Sequence, residues 1–185
     1  MEHCSLTGNN SEDALNIIRS AFAIDDLHIA STTSDGFDAD FCRGQIKNSR
    51  FVNTGNDCID FSGSAVNISS ITIENSGDKG ISGGEASTIT LSDIEIDGAV
   101  TGIASKDGSI ISGSNIRITD VEFGYSAFQK KPEYTGAEIR LEQAELSQAI
   151  NQVLVELGSI ISINGETTRG EKKLDIEAMY ARFEK

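Results

Sequence analysis

A period of 22 residues governs residues 13–127 of this chain. Stepping by 22 in both directions from Asp57-Cys58-Ile59-Asp60-Phe61 aligns six segments of five residues each. These segments begin at Asp13, Asp35, Asp57, Lys79, Thr101 and Phe123. Periods of about 20–50 residues are typical of solenoids, in which every repeat stacks on the next and the stack supplies the core. We call one such repeat a rung.

The columns of this alignment predict which side chains face the core. The second column is small in every rung, and the third is apolar or aromatic: Leu15, Phe37, Ile59, Ile81, Ile103 and Tyr125. The fourth column is mostly polar and consists of Asn16, Asp38, Asp60, Ser82, Ala104 and Ser126. Because successive side chains of a strand point to opposite faces, we expect the third column inside the rod and the fourth column facing out.

A second strand recurs along the chain with alternating polar and apolar residues, as in Ser70-Ile71-Thr72-Ile73. Its outward positions share no chemistry and are interpreted as a solvated face: His28, Arg50, Thr72, Glu95 and Arg117. Asn53, Asn75 and Asp97 also recur every 22 residues. We predict that these three residues form a turn ladder in which stacked side chains bond one another.

These patterns predict an all-β fold, a parallel β-helix of about six 22-residue rungs over residues 1–128. The repeat breaks at residues 129–134, which contain the only proline, and residues 129–185 are predicted to form a last strand and a C-terminal cap. Within this cap, strands are favoured over a helix for residues 153–165, and a helix is predicted over residues 174–183. The first residues enter the repeat without a polar cap, so we predict the C-terminal part of a longer protein.

The charge balance argues against several classes of partner. With 15 basic and 29 acidic residues the net charge is −14, so nucleic-acid binding is not expected. No apolar stretch approaches about 20 residues, so membrane insertion is not expected either. The N-terminus has no basic region followed by an apolar core, and a secreted, cell-surface or periplasmic location would need a signal further upstream. Cys4, Cys42 and Cys58 lack metal-binding spacing, and Cys58 is predicted to pack at the edge of the core.

The period also stacks carboxylates. Residues one rung apart become neighbours in a β-helix, so we expect Asp35 beside Asp57 and Asp38 beside Asp60, each pair about 4.8 Å apart. Like charges at that distance need a shared proton, a cation or a basic side chain. Lys79 lies one rung beyond Asp57 and can neutralise part of the charge. A Ca²⁺ ion held by the four aspartates is the other possibility.

Several motifs in this region resemble those of the polygalacturonases, glycoside hydrolases of the pectin-lyase-like superfamily of right-handed parallel β-helices. The similar segments are Thr33-Ser34-Asp35-Gly36-Phe37-Asp38, Gly55-Asn56-Asp57-Cys58, Gly63-Ser64-Ala65-Val66-Asn67-Ile68 and Asp78-Lys79-Gly80. The resemblance covers about 50 residues, 33–82. Asn56 stands where the family has an aspartate and Lys79 where it has a histidine, and Ile103-Ala104-Ser105-Lys106 lacks the family's arginine.

The resemblance implies a right-handed fold, and two functions have to be distinguished. The first, which needs no catalytic site, is an extracellular repeat module that is a structural or polysaccharide-contacting scaffold. The second is a polysaccharide hydrolase, or a Ca²⁺-dependent lyase, with Asp35, Asp57 and Lys79 as catalytic residues and with Asp38, Asp60 and Lys106 binding substrate. An enzyme should have an open groove above Asp35, Asp57 and Lys79, walled by long turns. A purely structural scaffold should leave that face flat.

Overall fold

The computed structural model describes residues 1–180, which form thirteen strands and one short helix. The strands are β1 (Glu2–Thr7), β2 (Asp13–Ile18), β3 (Ala21–Ala30), β4 (Asp35–Asp40), β5 (Arg43–Thr54), β6 (Ile59–Ser62), β7 (Ala65–Ser76), β8 (Lys79–Gly84), β9 (Thr88–Lys106), β10 (Ile110–Phe128), β11 (Glu138–Val155), β12 (Ile160–Ile163) and β13 (Glu166–Arg169). The helix is α1 (Ile176–Tyr180).

Strands one rung apart pair in parallel along almost the whole rod. The first strands pair in the order β2, β4, β6, β8 and β9, and the second strands in the order β1, β3, β5, β7, β9, β10 and β11. The register places Phe37 opposite Ile59, and Ile59 opposite Ile81. The predicted 22-residue register and the all-β parallel β-helix are therefore confirmed.

The third column lines the interior. From Phe37 to Tyr125 its side chains are at most 2% exposed, whereas Leu15 in the first rung is half-buried. The apolar positions of the second strands, such as Ile71 and Ile73, complete the core from the other side. Each rung exposes an apolar edge that only its neighbour can cover, so stacking supplies the stability of the rod.

Asn53 and Asn75 form the predicted turn ladder at one corner of the rod, but the third predicted residue, Asp97, lies one position away from it. Asn53 and Asn75 adopt φ values of 55° and 56°, a left-handed turn that asparagine tolerates, and the Asn75 amide donates to Asn53 Oδ1 at 3.0 Å. The next residue of this corner is Gly98, not Asp97, because Asp97 pairs with Glu74. The prediction for Asp97 was wrong by one residue. The extra residue enters upstream, where Glu85 and Ala86 together make a turn that Gly63 makes alone.

The rod continues beyond the break in the repeat. Strand β11 pairs in parallel with β10 at a spacing of 28 residues, with Ile111 opposite Ile139, so the rod has about seven turns. The loop 129–137 projects between them and accommodates the longer spacing. Strands at the end of β11 and in β12 confirm the choice of strand over helix there. Of the helix predicted over 174–183, the structure has α1, and residues 181–183 lie outside the described residues.

The outward side of the first strands differs along the rod, and we call it the first-strand face. Asn16, Asp38 and Asp60 are exposed or half-buried there, as predicted for the fourth column. Ser82, Ala104 and Ser126 are at most 1% exposed. These three residues were also predicted to face out, and their burial shows that this part of the first-strand face is closed to solvent.

Candidate functional site

The first column of the repeat forms a charge column, which consists of Asp13, Asp35, Asp57 and Lys79. Asp35 Oδ1 accepts a hydrogen bond of 3.0 Å from the backbone N–H of Asp57. Asp57 Oδ1 accepts one of 3.1 Å from the backbone N–H of Lys79. The Asp35 and Asp57 carboxylates thus each bind the backbone of the next rung, which holds these side chains in line along the rod.

Asp57 and Lys79 form a buried ion pair at the end of the column. Their side chains are 5% and 6% exposed, and Lys79 Nζ lies 3.3 Å from Asp57 Oδ1. Asp78, which is more exposed, also contacts the ammonium group. Burial raises the pKa of Asp57, and the neighbouring Lys79 charge opposes that rise. The lysine therefore supplies the compensation that the stacked carboxylates were predicted to need.

Asp35 and Asp38 are only partly buried, and both hold protons more tightly than ordinary aspartates. Burial is the main cause that raises the pKa of Asp35 to about 6, and the Asp57 charge is the second. The 2.6 Å hydrogen bond that Asn56 donates to Asp35 acts in the opposite direction. Burial is also the main cause that raises the pKa of Asp38 to about 7, and the charges of Asp40 and Asp60 come next in importance. Two carboxyl groups with raised pKa values, Asp35 in the charge column and Asp38 in the fourth column of the same rung, thus lie in this part of the rod.

Lysines from later rungs reach over the same region. Lys106 Nζ lies 3.7 Å from Asp60 Oδ1, two rungs back, and its side chain lies almost wholly buried. Lys130 comes from the loop 129–137, and burial together with the charges of Lys106 and Lys79 lowers its pKa. The loop is anchored by buried Asp107, which accepts the backbone N–H groups of Lys130 and Lys131 at 2.6 and 2.7 Å. Sequence reasoning missed Lys130, because it belongs to a loop outside the repeat.

These side chains surround a cavity of about 330 Å³, which we call the candidate cavity. It is lined by Asp35, Gly55, Asn56, Asp57, Asp60, Gly77, Asp78, Lys79, Lys106 and Lys130. The structure therefore brings together five of the six predicted site residues, while Asp38 lies outside the lining. The surface is not flat here, and the loop that carries Lys130 forms part of its wall.

The structure does not gather a set of metal ligands at this place. Within residues 1–180, no three His, Cys, Asp or Glu side chains converge as ligands of one ion. A Ca²⁺ ion held by Asp35, Asp38, Asp57 and Asp60 stays a prediction from the sequence. The cation that the structure does place against Asp57 is the ammonium group of Lys79.

A larger concavity lies on another side of the rod. It has a volume of about 1160 Å³ and follows the corner between the two halves of the long strands, from Ser70 to Asn164. Its charged groups, such as Arg117 and Glu95, are more than half exposed and form a loose pair at 3.5 Å. Solvent screens charges of this kind, so the smaller cavity is the better candidate for chemistry despite its size.

A comparison with protein families now identifies the fold. The family described as "Right handed beta helix region" matches residues 2–156, from β1 to the end of β11. The chain belongs to the right-handed β-helix family. The match confirms the handedness implied by the resemblance, and it includes the rung beyond the loop 129–137.

The other comparisons add no relative to this β-helix. No curated protein and no solved structure matches the chain. In the described part of the β-helix, no helix has the length and apolar character needed to cross a bilayer. The similarity of residues 33–82 to polygalacturonase motifs stays a resemblance.

Proposed function

We propose that this β-helix is an extracellular scaffold that binds a polysaccharide at the candidate cavity. The observation that carries the proposal is the placement of buried and half-buried charges of both signs around one opening. Asp57 and Lys79 form a buried ion pair in its lining, and we call three other charged residues of the lining, Asp60, Lys106 and Lys130, its rim. A structural rung needs no such opening, because its stability comes from the apolar third column.

The chemistry of the rim fits a ligand rich in hydroxyl groups. Carboxylates accept hydrogen bonds from sugar hydroxyls, and the Lys106 and Lys130 ammonium groups donate to hydroxyl or carboxylate oxygens. The side chains line a cavity between neighbouring rungs and the wall loop. An extended chain can contact successive rungs, since their spacing of about 4.8 Å is close to the size of one sugar ring.

The test is binding of the full chain to polyuronides, namely polygalacturonate and alginate, and to neutral dextran, measured by affinity electrophoresis and calorimetry. Lys130→Ala should weaken binding at least tenfold, because Lys130 lines the cavity. Lys47→Ala is the matched control, since Lys47 pairs with Asp25 on the rod surface at 2.9 Å. Absence of binding to every glycan, or equal loss in both variants, would reject the proposal.

The extracellular location is part of the same proposal. The chain's glycan partner would lie outside the cell, so the protein should be found in the medium or on the cell surface of its natural source. Immunoblotting of the separated medium, surface and intracellular fractions tests this. Recovery only from the intracellular fraction would contradict it.

A hydrolase is the second candidate, favoured by the environment of Asp35. Its carboxyl group, with a pKa raised to about 6, lines the cavity beside Asp57, whose carboxylate is fixed by Lys79. A carboxyl group that keeps its proton up to about pH 6 can donate it to a leaving glycosidic oxygen in weakly acidic solution, and a second carboxylate can activate water. Asp35→Asn should then abolish the release of reducing ends while leaving glycan binding in place. No release by the unaltered chain would exclude this activity for the glycans tested.

A further inference from the structure

The first-strand face beyond the candidate cavity is polar yet covered. Ser82 and Ser126 are at most 1% exposed, and within the described residues their hydroxyl groups have no hydrogen-bond partner. Buried hydroxyls are normally bonded to the protein or to water, so two such groups on one face are unusual. The face has the chemistry of a surface that meets water or a polar ligand.

The C-terminal helix meets this face through Met179. Met179 of α1 shares a small void of about 10 Å³ with side chains of the last rungs, namely Asp78, Lys79, Thr101, Phe123, Ser126, Phe128 and Leu154. Met179 and Ser126 thus line one void, and the methionine can offer the Ser126 hydroxyl group only a thioether. Asp78 and Lys79 line this void as well as the candidate cavity, so the void and the cavity are neighbours.

Polar contacts around Glu156, which we call the clasp, hold the beginning of the C-terminal segment, residues 171–180. Glu156 is 2% exposed, and its carboxylate accepts the backbone N–H of Gln129 at 2.7 Å and that of Leu174 at 3.4 Å. Lys173 Nζ lies 3.5 Å from Glu156 and donates to Gln129 Oε1 at 2.9 Å. The clasp therefore joins the C-terminal segment to the loop that carries Lys130.

We infer that residues 171–180 are a detachable cover over the first-strand face beside the candidate cavity. A helix of five residues is too short to be stable by itself, so α1 depends on its contacts with the rod. When the cover lifts, the Ser126 hydroxyl group gains water or ligand as a partner. This offsets part of the lost apolar contact of Met179. The cover then controls how far along the rod a ligand can bind, an extension that rests on the proposed glycan-binding function.

A chemical reporter tests the cover without any glycan. In the full chain, Ser126→Cys places a thiol under α1, and its rate of alkylation by a maleimide is read by mass spectrometry on the peptide that contains it. Adding Met179→Glu should raise that rate at least tenfold, because a charged group cannot stay against Phe123 and Leu154. The control is Ala178→Glu, an exposed position of the same helix, which should leave the rate unchanged.

A second pair of variants tests the clasp. Lys173→Met removes both contacts of Lys173, whereas Lys172→Met changes a neighbouring exposed lysine with no side-chain hydrogen bond or ion pair among the described residues. Only Lys173→Met should accelerate alkylation, and Thr101→Cys, at a buried position that lines the same void as Met179, serves as a second reporter if Ser126→Cys does not fold. Equal rates in the unaltered, Met179→Glu and Lys173→Met backgrounds would overturn the cover.

Polygalacturonate binding separates the cover from the proposed function. Faster alkylation together with tighter binding by Met179→Glu supports both. Faster alkylation without any binding supports the cover and rejects the glycan-binding function. Unchanged alkylation overturns the cover, even if polygalacturonate binds the candidate cavity.

Discussion

The buried pair of Asp57 and Lys79 gives the sharpest stability prediction. Lys79→Met keeps the shape of the aliphatic stem and removes the charge that compensates Asp57. Breaking a buried ion pair from one side costs about 3–5 kcal/mol, because the remaining charge stays buried. We expect about 3 kcal/mol at pH 7, since the Asp57 carboxylate keeps its 3.1 Å hydrogen bond from the backbone of residue 79. For a chain of this size that lowers Tm by about 6–12 °C.

The reciprocal and double variants make the prediction specific. Asp57→Asn leaves Lys79 with Asp78 as a partner. The free energy of unfolding should therefore fall less in Asp57→Asn than in Lys79→Met. The double variant Asp57→Asn with Lys79→Met has no buried charge at either position and should recover most of the stability. Chemical denaturation followed by circular dichroism at pH 7 measures all three free energies of unfolding.

The pH dependence of the Lys79→Met variant provides an internal check. Burial already raises the pKa of Asp57 in the folded protein, and removal of Lys79 takes away the charge that opposes that rise. A carboxyl group whose pKa is raised on folding favours the folded state at low pH and loses that advantage as pH rises. The loss caused by Lys79→Met should therefore be smaller at pH 5 than at pH 7. A loss under about 0.5 kcal/mol at pH 7, or a double variant no more stable than Lys79→Met, would refute the reasoning.

Three further predictions follow from the rod. Asp38 has a pKa raised to about 7 from 3.8, so its contribution to stability is fully present below pH 4 and is lost as pH rises to about 7. Asp38→Asn should flatten the fall in stability between pH 5 and pH 8 by about 1 kcal/mol after solvent screening, as measured by urea denaturation at each pH. Ile81→Ala removes a fully buried third-column side chain and should cost about 3 kcal/mol in the same assay; a loss under about 1 kcal/mol would contradict its place in the core. Gly55→Ala would place its Cβ 2.2 Å from the Thr33 carbonyl oxygen and should lower Tm, whereas Gly84→Ala, whose Cβ would meet nothing closer than 3.6 Å, should not.

The sequence predicted the parts of the fold that obey the period. Apolar residues such as Phe37 and Ile59 alternate with polar residues along their strands. This alternation indicates which side of each strand faces the core, because successive side chains point to opposite faces. Turn length is not periodic, and this accounts for the two errors of register. The extra residue in the turn at Glu85 and Ala86 places Gly98 in the corner position that was predicted for Asp97. The loop 129–137 lengthens the spacing between β10 and β11, so the segment of β11 was predicted as a last strand and cap and not as a further rung.

The candidate site, like the fold, could be predicted from the sequence only where its residues follow the 22-residue period. The period alone places Asp35, Asp57 and Lys79 in one column, and the structure adds that the column bonds through backbone N–H groups. Lys130 joins the site through the anchoring of its loop on Asp107, a tertiary contact with no sequence period. The burial of Ser126 under α1 likewise depends on where the end of the chain folds back, which no strand pattern indicates.

The tolerance of the rod for unequal turns has a consequence for how such a protein can change. Backbone pairing fixes the spacing of the strands, so a turn of one residue at Gly63, two at Glu85 and Ala86, and the loop 129–137 all leave the ladder intact. A segment of different length or charge can therefore replace the loop 129–137 while β10 and β11 stay paired. The charge and shape of the wall of the candidate cavity can therefore change in one exchangeable segment, while the strands preserve the stability of the protein.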